Sequence, residues 1–220
     1  MSVPEIFVKV FTDPMYAENG MVLHHADNHP CWIVDPGLPP QADSMIAYIN
    51  AHHITPSDII LTHAHSDHIA GVDAVRNTHP DATLHLAKAE WALLTDPMQN
   101  LSAQFGANIT ASPDGVRDLA PGDVLELDGC EWTVLDTSGH SPGGRSLYCA
   151  TLKLAIVGDA VFAGSIGRTD LHHSDHQRLL GNIHQHILSL PDDTTLLCGH
   201  GPATTVATER QNNPFLREPR

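Results

Sequence analysis

Short apolar runs separated by turn residues dominate the chain, and this spacing predicts many brief strands and few helices. Ile6 to Val10, Met21 to Leu23 and Cys31 to Val34 read as the opening strands, the third ending in the turn Asp35-Pro36-Gly37. The period then changes. Over residues 40 to 52, Met45, Ile46 and Ile49 are spaced for one buried face of a helix. Ile59 to Leu61, Thr83 to Leu86, Val124 to Leu127, Trp132 to Leu135, Leu154 to Val157 and Thr195 to Cys198 continue the strand pattern. A further helix is predicted after Ser174 and Gln177, which have capping-box spacing. Leu179, Leu180, Ile183, Ile187 and Leu188 supply its apolar face until Pro191 stops it.

Residues with metal-ligand chemistry stand where four of these runs end. Ile59 to Leu61 leads into Thr62-His63-Ala64-His65-Ser66-Asp67-His68, followed by a helical pattern that closes at Gly71. His63 and His65 are two apart, so on an extended segment they project to one side and can grip one ion together. Asp67 and His68 fall where the chain turns into a helix and diverge toward a second ion. Imidazole nitrogen and carboxylate oxygen both suit zinc, and imidazole also suits iron. The other three runs deliver His140 on the Gly-rich loop after Asp136, Asp159 after Gly158, and His200 between Gly199 and Gly201. With 17 histidines, a close pair can arise from composition alone, so the argument rests on four strand ends converging. Strand ends on one edge are where α/β proteins gather their sites. His24, His25, His52, His53, His79, His85, His184 and His186 are left out of the ligand set. His172, His173 and His176 are assigned to the surface.

Composition narrows the function classes. The 220 residues contain no linker or low-complexity break, so residues 1–220 read as one domain. No stretch approaches the roughly 20 apolar residues of a membrane span. Met1-Ser2-Val3-Pro4-Glu5 lacks the basic and apolar segments of a secretory signal. Cys31, Cys130, Cys149 and Cys198 are widely spaced with apolar neighbours, as expected of buried free thiols in a cytoplasmic protein. An excess of 26 acidic over 11 basic residues, a net charge of -15, argues against a nucleic-acid partner. The expected partner is a small molecule, with no membrane; oligomeric state is not fixed by the sequence.

Thr62 to His68 with His140, Asp159 and His200 resemble the motifs of the metallo-β-lactamase superfamily, and within it the hydroxyacylglutathione hydrolase (glyoxalase II) group. The resemblance runs from Asp35-Pro36-Gly37 to the end of the chain. It implies an α/β fold, an αββα sandwich of two mixed β-sheets flanked by helices, with metals at one edge of the sheets. By position it assigns His63, His65 and His140 to one ion and Asp67, His68 and His200 to a second, with Asp159 bridging both. The implied cofactors are two divalent metal ions, zinc foremost, with iron or manganese as alternatives. Two such ions can share a water, lower its pKa toward ~7 and hold the hydroxide against a carbonyl carbon. The expected reaction is therefore hydrolysis of a small hydroxyacylglutathione-like thioester or a related ester, with Asp67 and Asp159 as catalytic residues. Asp35 is the candidate partner that fixes a ligand imidazole, or else simply caps its turn. Arg168 is the candidate cation for a substrate carboxylate, or else pairs with Asp170. Glyoxalase II enzymes carry a basic residue and a tyrosine in this loop and then a C-terminal helical domain. Here Asp170 stands at the tyrosine position and the chain ends soon after His200, which suggests a short form. The alternatives are a mononuclear iron persulfide dioxygenase using His63, His140 and Asp159, a lactonase, or a metal-binding module without catalysis.

Overall fold

Alternation along the strands sorts the apolar side chains into three layers. The computed structural model describes residues 5–217; Met1 to Pro4, read above for a secretory signal, lie outside the described residues. Strands β1 (Phe7–Thr12), β2 (Asn19–His24), β3 (Pro30–Val34), β4 (Thr55–Ile60), β5 (Thr83–Leu86) and β6 (Arg117–Asp118) form one sheet in that order. Its first two pairings are antiparallel and the next three parallel. The second sheet begins with β7 (Val124–Leu127), β8 (Cys130–Asp136), β9 (Arg145–Cys149) and β10 (Leu154–Gly158). After a small hairpin of β11 (Val161–Phe162) and β12 (Ser165–Ile166), β13 (Thr195–Cys198) joins β10 in parallel and β14 (Thr204–Thr205) closes the edge.

The helices cover the two outer faces. Val22, Cys31 and Ile33 pack with Met45 and Ile49 of α1 (Gln41–His52), Ile69 of α2 (Ser66–Ile69), and Val72 and Val75 of α3 (Val72–Thr78). Their neighbours Met21, Leu23, Trp32 and Val34 point the other way, toward Trp132, Val134, Leu147 and Ile156 of the second sheet. The rings of Trp32 and Trp132 lie 5.7 Å apart in this middle layer. Ala155, Val157 and Leu196 turn outward onto Leu179 of α4 (His176–Asn182) and Val206 of α5 (Val206–Asn212). Strands with one residue set facing a helix and the alternate set facing another sheet produce an αββα sandwich. This is the fold class the sequence implied.

Local departures have local causes. The predicted cap at Ser174 moves one residue: Asp175 is extended and its carboxylate accepts the Arg178 N–H at 3.0 Å, while the Ser174 hydroxyl donates to Leu171 O. The helix after the histidine cluster breaks at Gly71 and resumes as α3. A Cβ at Gly71 would come within 2.5 Å of Pro36 O, so only glycine fits there. All four cysteines are free and buried.

The sheets converge at the edge where their strands deliver the candidate ligands. The Arg145 N–H donates to Thr62 O at 2.9 Å, and the Asn19 N–H to Gly199 O at 2.8 Å. Glu90, on the 3-10 helix Lys88–Thr95, adds a clamp between two loops. One carboxylate oxygen accepts the Ala64 N–H at 3.1 Å, between His63 and His65, and the other accepts the Gly143 N–H at 2.6 Å, just beyond His140. Its side chain is fully buried. Burial pushes the carboxyl pKa up, and the hydrogen bonds from Ser141, Gly143 and Ala64 oppose that shift. Glu90→Gln would turn one acceptor into a donor facing a backbone N–H. The expected cost is about 1–3 kcal/mol of unfolding free energy, read from urea denaturation; an unchanged midpoint would contradict the clamp.

Candidate metal centre

Seven side chains meet at this edge. β4 ends at Ile60, and the extended segment after it turns His63 and His65 the same way, with ring centroids 4.6 Å apart. The chain then enters α2, whose first turn carries Asp67 and His68. The loop after β8 brings in His140. β10 ends at Gly158, a left-handed residue with φ 48°, and Asp159 follows it. β13 ends at Cys198, and Gly199 leads to His200. A Cβ at Gly199 would lie 2.2 Å from Asp159 Oδ1 and 3.1 Å from His68 Cε1, so a larger residue would fill the space between ligand side chains.

The donor atoms fall into three overlapping groups: His63, His65 and His140; His63, His68 and Asp159; Asp67, His68 and His200, each within 4.8 Å. His65 Nδ1 is 3.0 Å from His63 Nε2 and 3.0 Å from His140 Nε2. Asp159 lies between the groups. Its Oδ2 is 3.4 Å from His140 Nε2 and 3.4 Å from His200 Nε2, while Oδ1 is 3.5 Å from His68 Nε2. His200 Nε2 is also 3.4 Å from Asp67 Oδ2. Every group found among the described residues draws on these seven positions, and none uses the histidines set aside above.

Second-sphere hydrogen bonds aim the rings. His140 Nδ1 donates to Arg168 O at 2.8 Å and His200 Nδ1 to Tyr16 O at 2.9 Å. His68 Nδ1 donates to Asp35 Oδ2 at 3.0 Å. The Thr62 hydroxyl donates to the same oxygen at 2.6 Å and therefore accepts from His63 Nδ1 at 3.1 Å. Each of these four imidazoles thus carries an outward proton on Nδ1, which leaves Nε2 as the inward atom, the one that a cation would take as a lone pair. Asp35 also accepts the Thr62 N–H at 2.8 Å and sits in the left-handed region at φ 46°. Asp35 therefore bonds both to the main chain that follows β4 and to the His68 ring, a geometry that fits either of its sequence readings.

The inward atoms fit a divalent cation. His68 Nε2 and Asp159 Oδ1 are buried without a hydrogen-bond partner, an arrangement that costs stability unless something positive sits between them. Burial, reinforced by neighbouring imidazoles, holds His63 well below the usual range and brings His65 down to about 3, so both are neutral donors. Burial also opposes charge on Asp159, but His68 and His200 outweigh it and hold the carboxyl well below its ordinary value. Burial likewise works against protonated His200. Hydrogen bonds to Asp159 and Asp67 overcome it and lift this group to about 10, and the surrounding carboxylates raise His68.

Arg168 lies at the rim of the adjoining cavity, but its guanidinium is engaged in a two-pronged pair with Asp170 at 2.7 and 2.8 Å. Glu18 has no sequence motif and was not anticipated. It is fully buried, with Oε1 3.9 Å from His68 Nδ1. Burial pushes its carboxyl up to about 9 against the pull of His68, so it is neutral near pH 7. Its backbone pairs with that of His200, which makes it part of the wall behind the candidate ligands.

Comparisons with known proteins agree with this arrangement. Residues 19–200 match the metallo-beta-lactamase superfamily. The probable metallo-hydrolase YqgX of Bacillus subtilis (strain 168) is 42% identical over 188 residues, covering 84% of this chain and 87% of that protein. The hydroxyacylglutathione hydrolase GloC of Haemophilus influenzae (strain ATCC 51907 / DSM 11121 / KW20 / Rd) is 31% identical, covering 84% of this chain and 86% of that protein. A crystal structure of TTHA1623 in a di-iron-bound form superposes with a TM-score of 0.82 at 32% identity, covering 95% of this chain and 100% of that one. With its αββα layers, its convergent histidines and aspartates, and a match over most of its length, the chain belongs to the metallo-beta-lactamase superfamily.

Proposed function

We propose that this protein is a metal-dependent hydrolase of a small thioester or related ester, holding two divalent ions through the seven residues described. The observation that carries the reading is Asp159, whose two oxygens face His140 and His200 on one side and His68 on the other. His63, His65 and His140 would hold one ion and Asp67, His68 and His200 the other, with Asp159 shared. Divalent ions bound there would acidify water and offset negative charge developing on a substrate carbonyl oxygen. The chain's own residues supply the rest. Asp35 and Thr62 fix the rings of His68 and His63, while the carbonyls of Arg168 and Tyr16 fix His140 and His200. Asp67 and Asp159 concentrate negative charge where the cations would sit and remain ionised near pH 7. No Ser or Cys nucleophile is required, and the buried Cys31 and Cys198 thiols are pushed up to about 12. GloC, a relative named for hydroxyacylglutathione hydrolysis, supports thioesters as the substrate class.

Four outcomes test the reading. Protein purified without added metal should hold close to two divalent ions per chain and hydrolyse at least one of a panel of small thioesters, S-lactoylglutathione included. His200→Ala should retain one ion and lose hydrolysis. Hydrolysis unchanged in that variant would sink the two-ion assignment, and one iron with sulfur-dependent oxygen uptake would favour a dioxygenase. Asp35→Asn keeps a residue that tolerates the left-handed turn while removing the charge that orients His68. It should cost about 10–100-fold in metal affinity, measured by competition with a chelator. Titration gives the fourth outcome. His68 and His200 are protonated in the metal-free protein near pH 7, whereas His63 and His65 are not. The ion at Asp67, His68 and His200 must therefore displace protons, and its affinity should fall more steeply from pH 8 to pH 6 than that of the other ion. Calorimetry in buffers of different ionisation enthalpy measures this; equal proton release at both sites would contradict it.

A further inference from the structure

A cavity of about 670 Å³ opens directly over the metal centre, with His65, Asp67, His140, Asp159 and His200 in its floor. Its walls are apolar, built largely from Met15, Tyr16, Leu101, Phe105, Ile109 and Phe162. Three of these carry large apolar surface out to solvent: Met15 is 75% exposed, Phe105 63% and Tyr16 39%. Tyr16 and Phe105 come from distant segments and meet edge to face at 5.7 Å. Exposed apolar residues gathered at the mouth of a pocket mark a binding surface, and a pocket of this volume suits a small molecule.

The charges around the cavity sharpen its preference. Apart from the imidazoles in the floor, Arg168 is the sole cationic side chain lining the cavity among the described residues, and Asp170 holds the Nε–Nη2 edge of its guanidinium and balances its charge. Asp13, also in the lining, accepts the N–H groups of Met15 and Tyr16 and so adds negative charge while holding the apolar loop. Away from the floor, a carboxylate entering this cavity meets no cation whose charge is not already balanced by a carboxylate. Glutathione carries two carboxylates, which would lose hydration against an apolar wall lined by further negative charge.

We propose that the cavity takes an uncharged, apolar leaving group, so that the substrate is a small thioester or ester of an apolar thiol or alcohol and not a glutathione conjugate. The proposal rests on the hydrolase reading above and narrows its substrate class. Hydrolysis adds water across the C–S bond: oxygen goes to the acyl carbon, and the departing thiolate takes a proton.

The test uses two thioesters with the same lactoyl group, one on 2-phenylethanethiol and one on glutathione, with the 2-hydroxypropyl thioethers of the same thiols as uncleavable binding probes. The metal-loaded protein should show at least about tenfold higher kcat/KM for the phenylethyl thioester, and calorimetry should show the matching preference among the thioethers. Phe105→Asp, at an exposed wall position, should remove the preference. Asp170→Ala should narrow it by releasing Arg168 toward the glutathione carboxylates. Equal or better binding of the glutathione thioether overturns the proposal, whether or not either ester is cleaved. Cleavage of both esters at equal rates also overturns it and leaves the hydrolase reading intact. If neither ester is cleaved while the phenylethyl thioether still binds preferentially, the hydrolase reading fails and the cavity assignment stands.

Discussion

Burying metal-type donors at one sheet edge is the constraint around which the rest of this molecule is arranged. Five of the seven side chains are buried, and Asp67 and His200 are only partly exposed. His65 Nδ1 stands 3.0 Å from both His63 Nε2 and His140 Nε2 and can donate its proton to only one of them, which sets lone pairs against each other at the second contact, and an unpaired carboxylate oxygen in the interior is costly. The fold tolerates this because the outward atoms are tied down. Asp35 holds His68 and Thr62, Thr62 holds His63, and main-chain carbonyls hold His140 and His200. What remains unsatisfied points inward, to positions where a divalent cation would convert repulsion into coordination.

That arrangement also explains why the two sheets are bound so closely at this edge. The ligands come from both sheets, so their spacing depends on the register between layers and not on any one loop. Glu90 and the main-chain bonds from Arg145 to Thr62 and from Asn19 to Gly199 fix that register. Glycine leaves room for Thr62 at position 158 and for Asp159 and His68 at position 199, so both strands end against the candidate ligand cluster. The proposed determinant of substrate choice lies elsewhere, in the apolar loops that line the cavity over the centre.

Much of this was legible in the sequence because the signals are local. Period-two alternation separates the helix-facing and sheet-facing residues of β2 and β3, and each candidate ligand lies within a few residues of the end of an apolar run. Asp35 and the Arg168–Asp170 pair were legible as alternatives, since both depend on neighbours a few residues away or on a recognisable turn. Ser174 misled because Asp175, next to it, is an equally good cap and has the extended backbone a cap requires. Glu90 and Glu18 were invisible. Glu90 acts on residues 26 and 53 positions away, and Glu18 is defined by burial behind His68, so neither leaves a pattern in its own segment. The cavity wall was hidden for the same reason: Tyr16 and Phe105 lie in segments that read as loops and meet only in the folded chain.

The central claim is that one shared carboxylate, Asp159, joins two cation sites. Anomalous diffraction from crystals of the metal-loaded protein tests it most directly. The account predicts two peaks, one among His63, His65 and His140 and one among Asp67, His68 and His200, with Asp159 touching both. A single peak at full occupancy, or a second peak that Asp159 does not reach, would contradict it.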